Sequence, residues 1–239
     1  MLLACEIFLW FVAYSLAGWI WEVILFCFTE KRFINRGFLN GPICPIYGFG
    51  ALSFWYVLGV WWQLSNPIVL FLVGGLMACL LEYLASVVLE KMFNTRWWDY
   101  YKNKFNINGR VALIGFVAFG VFAWLTVRFV QPFVIGVTNM IPEYIIYSTT
   151  IIVAIVLGMD FIVTICQLCK LNIRLAELQV AMDQKISNSD RIQKLVSVTM
   201  PVLRRYAKAF PKMKSTKYDG AMKKAISQLH LKRKNKEEK

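Results

Sequence analysis

The chain has 239 residues, of which 58% are hydrophobic and 15% aromatic, and its net charge is +13. Soluble domains have an apolar share nearer ~45–50%, so the composition excludes a water-soluble globular protein. Twelve of the thirteen net positive charges lie from Lys170 onward, where 18 Lys and Arg stand against 6 Asp and Glu.

Five apolar stretches, each near the ~20 residues that cross a ~30 Å hydrocarbon core, are expected as membrane spans: Leu3–Phe28, Pro45–Trp62, Ile68–Leu89, Val111–Val130 and Tyr144–Leu168. The first lacks a basic start and is longer than the apolar region of a signal peptide, so it is expected to be retained. It carries Glu22 within Gly18-Trp19-Ile20-Trp21-Glu22. An ionisable group inside a span costs at least ~2.5–3.5 kcal/mol and is placed facing the bundle or a wet cavity.

The next loop holds Lys31, Arg32 and Arg36, then runs Arg36-Gly37-Phe38-Leu39-Asn40-Gly41-Pro42-Ile43-Cys44-Pro45-Ile46-Tyr47-Gly48-Phe49-Gly50. Its repeated Gly and Pro demand special or fixed φ values, which predicts a shaped loop leading into the second span. Its glycines do not match a phosphate cradle: the chain has no G-x-x-x-x-G-K-[ST], and no strand is expected that could place one. Nucleotide energy would therefore come from another polypeptide. The loop Gln63–Pro67 has no basic residue.

The third span carries Glu82 in Leu81-Glu82-Tyr83. Glu22 lies eight residues before Glu30 and Glu82 nine before Lys91, so at ~1.5 Å per residue both sit roughly 12–14 Å inside the same ends of their helices. Two readings stay open: one shared polar site, or two separate carboxyls each satisfied by a neighbour. Asp160 lies deeper in the fifth span, and the sequence gives it no partner.

The loop after the third span reads Arg96-Trp97-Trp98-Asp99-Tyr100-Tyr101-Lys102-Asn103-Lys104-Phe105-Asn106-Ile107-Asn108-Gly109-Arg110. Trp97, Trp98, Tyr100 and Tyr101 suit the aromatic belt at the headgroup level. Asp99, Asn106, Asn108 and Arg110 are directional hydrogen-bonding groups that a belt does not need. Arg110 is expected either to pair with Asp99, Glu82 or Glu22, or to clamp a carboxylate or phosphate of a ligand. The candidate polar cavity thus comprises Glu22, Tyr47, Glu82, Asp99, Asn106, Asn108 and Arg110.

Basic loops belong in the cytoplasm. Five spans then put the N-terminus outside and the C-terminus inside, in the plasma membrane. The six cysteines lie in or beside the spans. Cys166 and Cys169 form C-x-x-C without the His or second pair that a zinc site needs, and free apolar thiols are expected. No metal or cofactor is called for, and no catalytic residues are singled out.

Past Lys170, the residues Leu168, Leu171, Leu175, Leu178 and Met182 continue the fifth span as an amphipathic seam for a partner helix. Asn188 to Asp190 interrupt it, and Pro201 and Pro211 punctuate the rest of the tail. A last helix through Met222, Ala225, Ile226 and Leu229 carries Lys223, Lys224, Lys232, Arg233 and Lys234, which reads as a basic amphipathic element binding the anionic leaflet. Nucleic acid is the rival partner, and scarce aromatics with no module signature argue against it. The expected fold is an all-α polytopic bundle of five transmembrane helices, residues 1–169, with a basic, partly helical cytoplasmic tail, residues 170–239.

Gly18-Trp19-x-x-Glu22, Arg36-Gly37-Phe38-Leu39-x-Gly41-Pro42-x-x-Pro45-Ile46-Tyr47-Gly48-x-Gly50, Leu81-Glu82-Tyr83 to Leu89-Glu90-Lys91, and Trp98-Asp99-Tyr100 with Phe105-Asn106-x-Asn108-Gly109-Arg110 together resemble the bacterial CmpB-like family of type IV ABC-transporter permeases, over roughly residues 5 to 165. The resemblance implies an integral membrane protein of Gram-positive or related bacteria with a transport role, and an ATPase subunit in trans. It brings no catalytic residues with it. Five spans are few for a pathway, so a homo-oligomer is expected, joined through the leucine seam and through Gly74 and Ala78 on the third span. A permease is the first reading; a membrane scaffold or regulator acting through the tail, and a surface enzyme on lipid headgroups, are the alternatives.

Overall fold

The computed structural model describes residues 1–183 and 189–227. Its elements are α1 (Leu2–Glu30), α2 (Pro45–Ser53) continuing as π-helix over Phe54–Trp61, α3 (Pro67–Phe93), β1 (Thr95–Arg96), β2 (Asn106–Ile107), β3 (Val111–Ala112), α4 (Leu113–Leu125) continuing as π-helix over Thr126–Val130 into α5 (Gln131–Thr138), α6 (Glu143–Asp183), α7 (Ser189–Ala209) and β4 (Lys214–Ser215). Among the described residues four stretches are long and apolar enough to cross a membrane: Leu2–Thr29, Pro67–Phe93, Leu113–Thr138 and Glu143–Asp183. Helices dominate because hydrocarbon offers no partner for a free N–H or C=O. The second expected span is the shorter Pro45–Trp61, nine α-helical and eight π-helical residues, opened by a proline whose missing N–H costs nothing at a first turn.

The chain divides into two compact units, one of Met1–Ala85 with Tyr100–Phe161, the other of Ser86–Asp99 with Ile162–Lys239. The expected boundary after residue 169 falls inside α6.

In the first unit α1 and α2 lie in close contact. A Cβ on Gly48 would stand 2.4 Å from Oγ of Ser15 and 2.6 Å from the Phe11 carbonyl oxygen, and edge-to-face pairs Phe11–Phe49 (4.9 Å) and Trp10–Trp55 (5.2 Å) flank the crossing. α1 is tied to α5 by Trp10 Nε1 donating to Thr138 (2.9 Å) and Tyr14 donating to Gln131 (2.6 Å). Phe54, Leu58, Leu70, Ala78 and Ala123 form a buried core. Gly74 and Ala78, expected on a contact with a second copy, serve this interior instead: a Cβ on Gly74 would stand 2.2 Å from that of Ala123. The outward stripe of α3 is Leu72, Leu76, Leu80, Leu84 and Val88, the apolar i, i+4 face that lipid requires.

Strands, which the sequence pattern does not predict, occur as two-residue pairs. β2 and β3 form a hairpin whose turn residues Asn108 (φ 52°) and Gly109 (φ 65°) both take the left-handed conformation, as a tight primed turn demands.

The second unit contains folded tail. β1 pairs antiparallel with β4, Thr216 N–H donates to the Asn94 carbonyl (2.9 Å), and Trp97 is 3% exposed with its ring edge-to-face with Tyr206 and Phe210, each at 5.2 Å. Trp97 is therefore a core residue and not a headgroup anchor. Leu168, Leu171, Leu175 and Leu178 are buried within the chain, and Arg174 of α6 donates to the Val198 carbonyl of α7 (2.8 Å), so the leucine seam is covered without a second copy. Pro201 sits inside α7 without ending it. Residues 219–227 are helical, yet Met222 and Ala225, expected to face lipid, are buried in this unit.

Candidate functional site

The glycine-rich loop between α1 and α2 is held by two acidic or amide side chains acting on backbone. Oδ1 of Asn35 accepts the Gly37 N–H (2.8 Å) and Trp19 Nε1–H (2.7 Å), while its amide donates to the Asn40 carbonyl (2.9 Å). Asp160, reaching from α6, accepts the N–H of Asn40 (3.0 Å) and of Gly41 (2.8 Å). The loop leaves no room at Gly37, where a Cβ would meet the Gly41 carbonyl oxygen at 2.7 Å.

That loop delivers Arg36 to Glu22. Nε of Arg36 lies 3.1 Å from Oε2 of Glu22, and its guanidinium stacks over Phe26 at 4.8 Å. The other oxygen of Glu22 accepts the Tyr47 hydroxyl at 2.7 Å. Tyr47 reaches it because its ring crosses α1 at Gly18. Glu22 is thus bonded at both oxygens.

Glu82 of α3 is 7% exposed. It accepts a hydrogen bond from the Tyr100 hydroxyl, while among the described residues its buried Oε2 has no hydrogen-bond partner. Tyr100 reports on the whole cluster. Burial first, then the charge and hydrogen bond of Glu82 and the charge of Glu22, push its phenol well above the ordinary range, with Arg36 pulling the other way. At the mouth of α2, burial and the Glu22 charge push the Cys44 thiol up to about 12, against the Phe38 backbone hydrogen bond and Arg36.

A cavity of about 280 Å³ borders this cluster, lined by Glu82 and Tyr47, by the rings of Tyr14, Trp21, Phe54, Phe119 and Phe122, and by small residues of α1 and α2 such as Gly18 and Ala51. Among the described residues Glu82 is the one charged residue in its wall.

Of the residues expected at a polar cavity, Glu22, Tyr47 and Glu82 come together. The others are engaged differently. Asn106 shapes its own loop, donating to the Asn103 carbonyl (2.8 Å) and accepting the Gly109 N–H (2.9 Å). Asn108 donates to the Tyr83 hydroxyl (3.2 Å), and Arg110 lies over the Tyr83 ring at 5.6 Å. Asp99 pairs with Lys214 at 2.6 Å in the second unit. The cation at Glu22 is Arg36, not Arg110. The sequence does not mark Arg36 and Tyr100 as site residues, although Arg36 opens the Gly- and Pro-rich loop and Tyr100 lies in the loop dense in aromatic and hydrogen-bonding groups. Lys223 is exposed beside Asp219, Lys224 is half-buried, and Lys232, Arg233 and Lys234 lie outside the described residues.

These features define a multi-pass membrane protein. A family model described as "Putative ABC-transporter type IV" matches residues 9–165; the chain belongs to that family and is transport-related. No curated protein and no solved structure matches it. The matched segment includes Glu22, Arg36, Tyr47, Glu82 and Tyr100.

Proposed function

We propose that the chain is a permease-like membrane component whose substrate site is the cavity beside Glu82, open to the cytoplasm and driven by an ATPase subunit in trans. The observation that carries this is the buried Oε2 of Glu82, which lacks a partner among the described residues. Burial of an ionisable group in a span is costly, and such groups mark substrate or ion pathways. The family described as "Putative ABC-transporter type IV" supports an ATPase partner, since no G-x-x-x-x-G-K-[ST] occurs in these 239 residues.

The helical count follows from charge. Loops 31–44 and 94–112 both carry clustered Lys and Arg, so both belong in the cytoplasm. A single crossing by α3 cannot join two cytoplasmic loops, and Pro45–Trp61 supplies the second crossing despite being short, nine α-helical and eight π-helical residues. The N-terminus is then outside and the C-terminus cytoplasmic, in the plasma membrane. The basic tail meets the anionic leaflet through its charge, at Lys223 and Lys224 and at Lys232, Arg233 and Lys234.

Affinity purification of the full chain from native membranes in mild detergent tests the reading. A retained nucleotide-binding subunit is expected, with ATP hydrolysis that falls in Glu82→Ala while retention is unchanged. Recovery without an ATPase, or hydrolysis indifferent to Glu82, contradicts it.

A further inference from the structure

We infer that the cavity beside Glu82 takes a compact organic cation of the tertiary or quaternary ammonium class, its charge on the Glu82 carboxylate and its apolar groups against an aromatic wall. This rests on the cavity being the substrate site, and names the class of substrate.

Charge comes first. Glu22 is opposed by Arg36 at 3.1 Å, whereas among the described residues no cation pairs with Glu82, whose Oε2 is also free of hydrogen bonds. An ionised Glu82 leaves the cluster one negative charge in excess. An anionic ligand would meet that excess with Arg36 already engaged.

The wall narrows the choice further. Trp21, Phe122, Phe119 and Tyr47 form a chain of ring contacts, Trp21–Phe122 at 5.3 Å, Phe119–Phe122 at 6.3 Å and Tyr47–Phe119 at 6.0 Å, and all four line the cavity together with Phe54. Aromatic faces attract cations, and quaternary ammonium groups are recognised by cages of this kind. A hard metal ion needs ~6–8 oxygen ligands, which such a wall does not offer. A primary ammonium would spend its three hydrogen bonds on Glu82 and on the hydroxyls of Tyr14, Tyr47 and Thr126, leaving the ring faces idle, whereas a tertiary or quaternary ammonium uses them. At about 280 Å³ the cavity stands at the small end of ligand pockets, which run ~300–1,000 Å³, so the cation is compact.

Equilibrium dialysis of the full chain in nanodiscs against radiolabelled benzyltrimethylammonium, with empty nanodiscs as blank, tests this. Saturable binding is expected, displaced by unlabelled cation but not by benzoate or benzyl alcohol. Glu82→Gln should weaken it at least about tenfold, near 1.4 kcal/mol, and Phe122→Leu, which removes a ring but keeps bulk, several-fold. Should Glu82→Gln fail to fold, Phe122→Leu and the charge-retaining Glu82→Asp carry the comparison. No saturable binding, equal displacement by benzyl alcohol, or indifference to these substitutions overturns the inference. If hydrolysis by a copurified ATPase still depends on Glu82 in that case, only the substrate class falls; if that dependence is also lost, the transport reading falls with it.

Discussion

The Tyr47 ring occupies the space that a side chain at position 18 would fill: a Cβ on Gly18 would stand 2.1 Å from Cγ of Tyr47. The absence of one methyl group on α1 therefore lets Tyr47 reach Glu22. Gly18→Ala should cost about 1–3 kcal/mol, as overpacking of a close contact does, and separate the Tyr47 hydroxyl from Glu22. Thermal unfolding of the purified protein checks this, with Gly50→Ala as control, since nothing lies within 4 Å of a Cβ there. Equal melting temperatures for the two variants would count against the packing.

Cys44 offers a chemical readout of the same neighbourhood. Its thiol is pushed from 9.0 to about 12 by burial and the Glu22 charge. A raised value means the neutral thiol persists, so the thiolate appears only as pH approaches 12, and near pH 8 its fraction is about a thousandfold below that of an ordinary cysteine. Maleimide labelling should reach Cys27 well before Cys44, and raising pH from 7 to 9 should leave Cys44 slow. Labelling of both at one rate contradicts the buried placement.

The crossing by Pro45–Trp61 has its own test. A reporter inserted in loop 62–66 should read outside and one at Lys102–Lys104 inside. A third reporter at Lys31–Arg32 reading on the same side as loop 62–66, with Lys102–Lys104 on the opposite side, would make Pro45–Trp61 re-entrant and overturn the orientation drawn from charge.

In the second unit, Trp97→Ala should destabilise by about 3–5 kcal/mol, the range for removing a buried aromatic, because its ring meets Tyr206 and Phe210. Limited proteolysis should then cut the 190–227 region faster. A headgroup anchor would tolerate the change, and an unaltered digestion pattern would return Trp97 to that role.

Legibility in the sequence divides along physical lines. The long helices are legible because hydrocarbon permits little else. Arg36 and Tyr100 were harder: each reaches its carboxylate through a loop that folds back, and loop conformation is held by backbone bonds such as Asp160 to Asn40 and Gly41, which side-chain pairing rules do not reveal. The place of Trp97 is not legible in the sequence, because an aromatic beside a span serves equally well at an interface or in a core, and only the tail, distant in sequence, decides. The hairpin at Asn108-Gly109 was readable, since Asn-Gly is a strong turn signal, but membrane patterning drew the reading toward helices.

Tyr100 feels the charge of both Glu82 and Glu22, and the proposed site depends on the two carboxylates forming one polar cluster. A double-mutant cycle of Glu22→Gln and Glu82→Gln, monitored by unfolding free energy in detergent, tests this most directly. Coupling of about 0.5–3 kcal/mol, the range for residues sharing a network, is expected; effects that add within about 0.3 kcal/mol would mean two independent carboxyls and contradict the shared site.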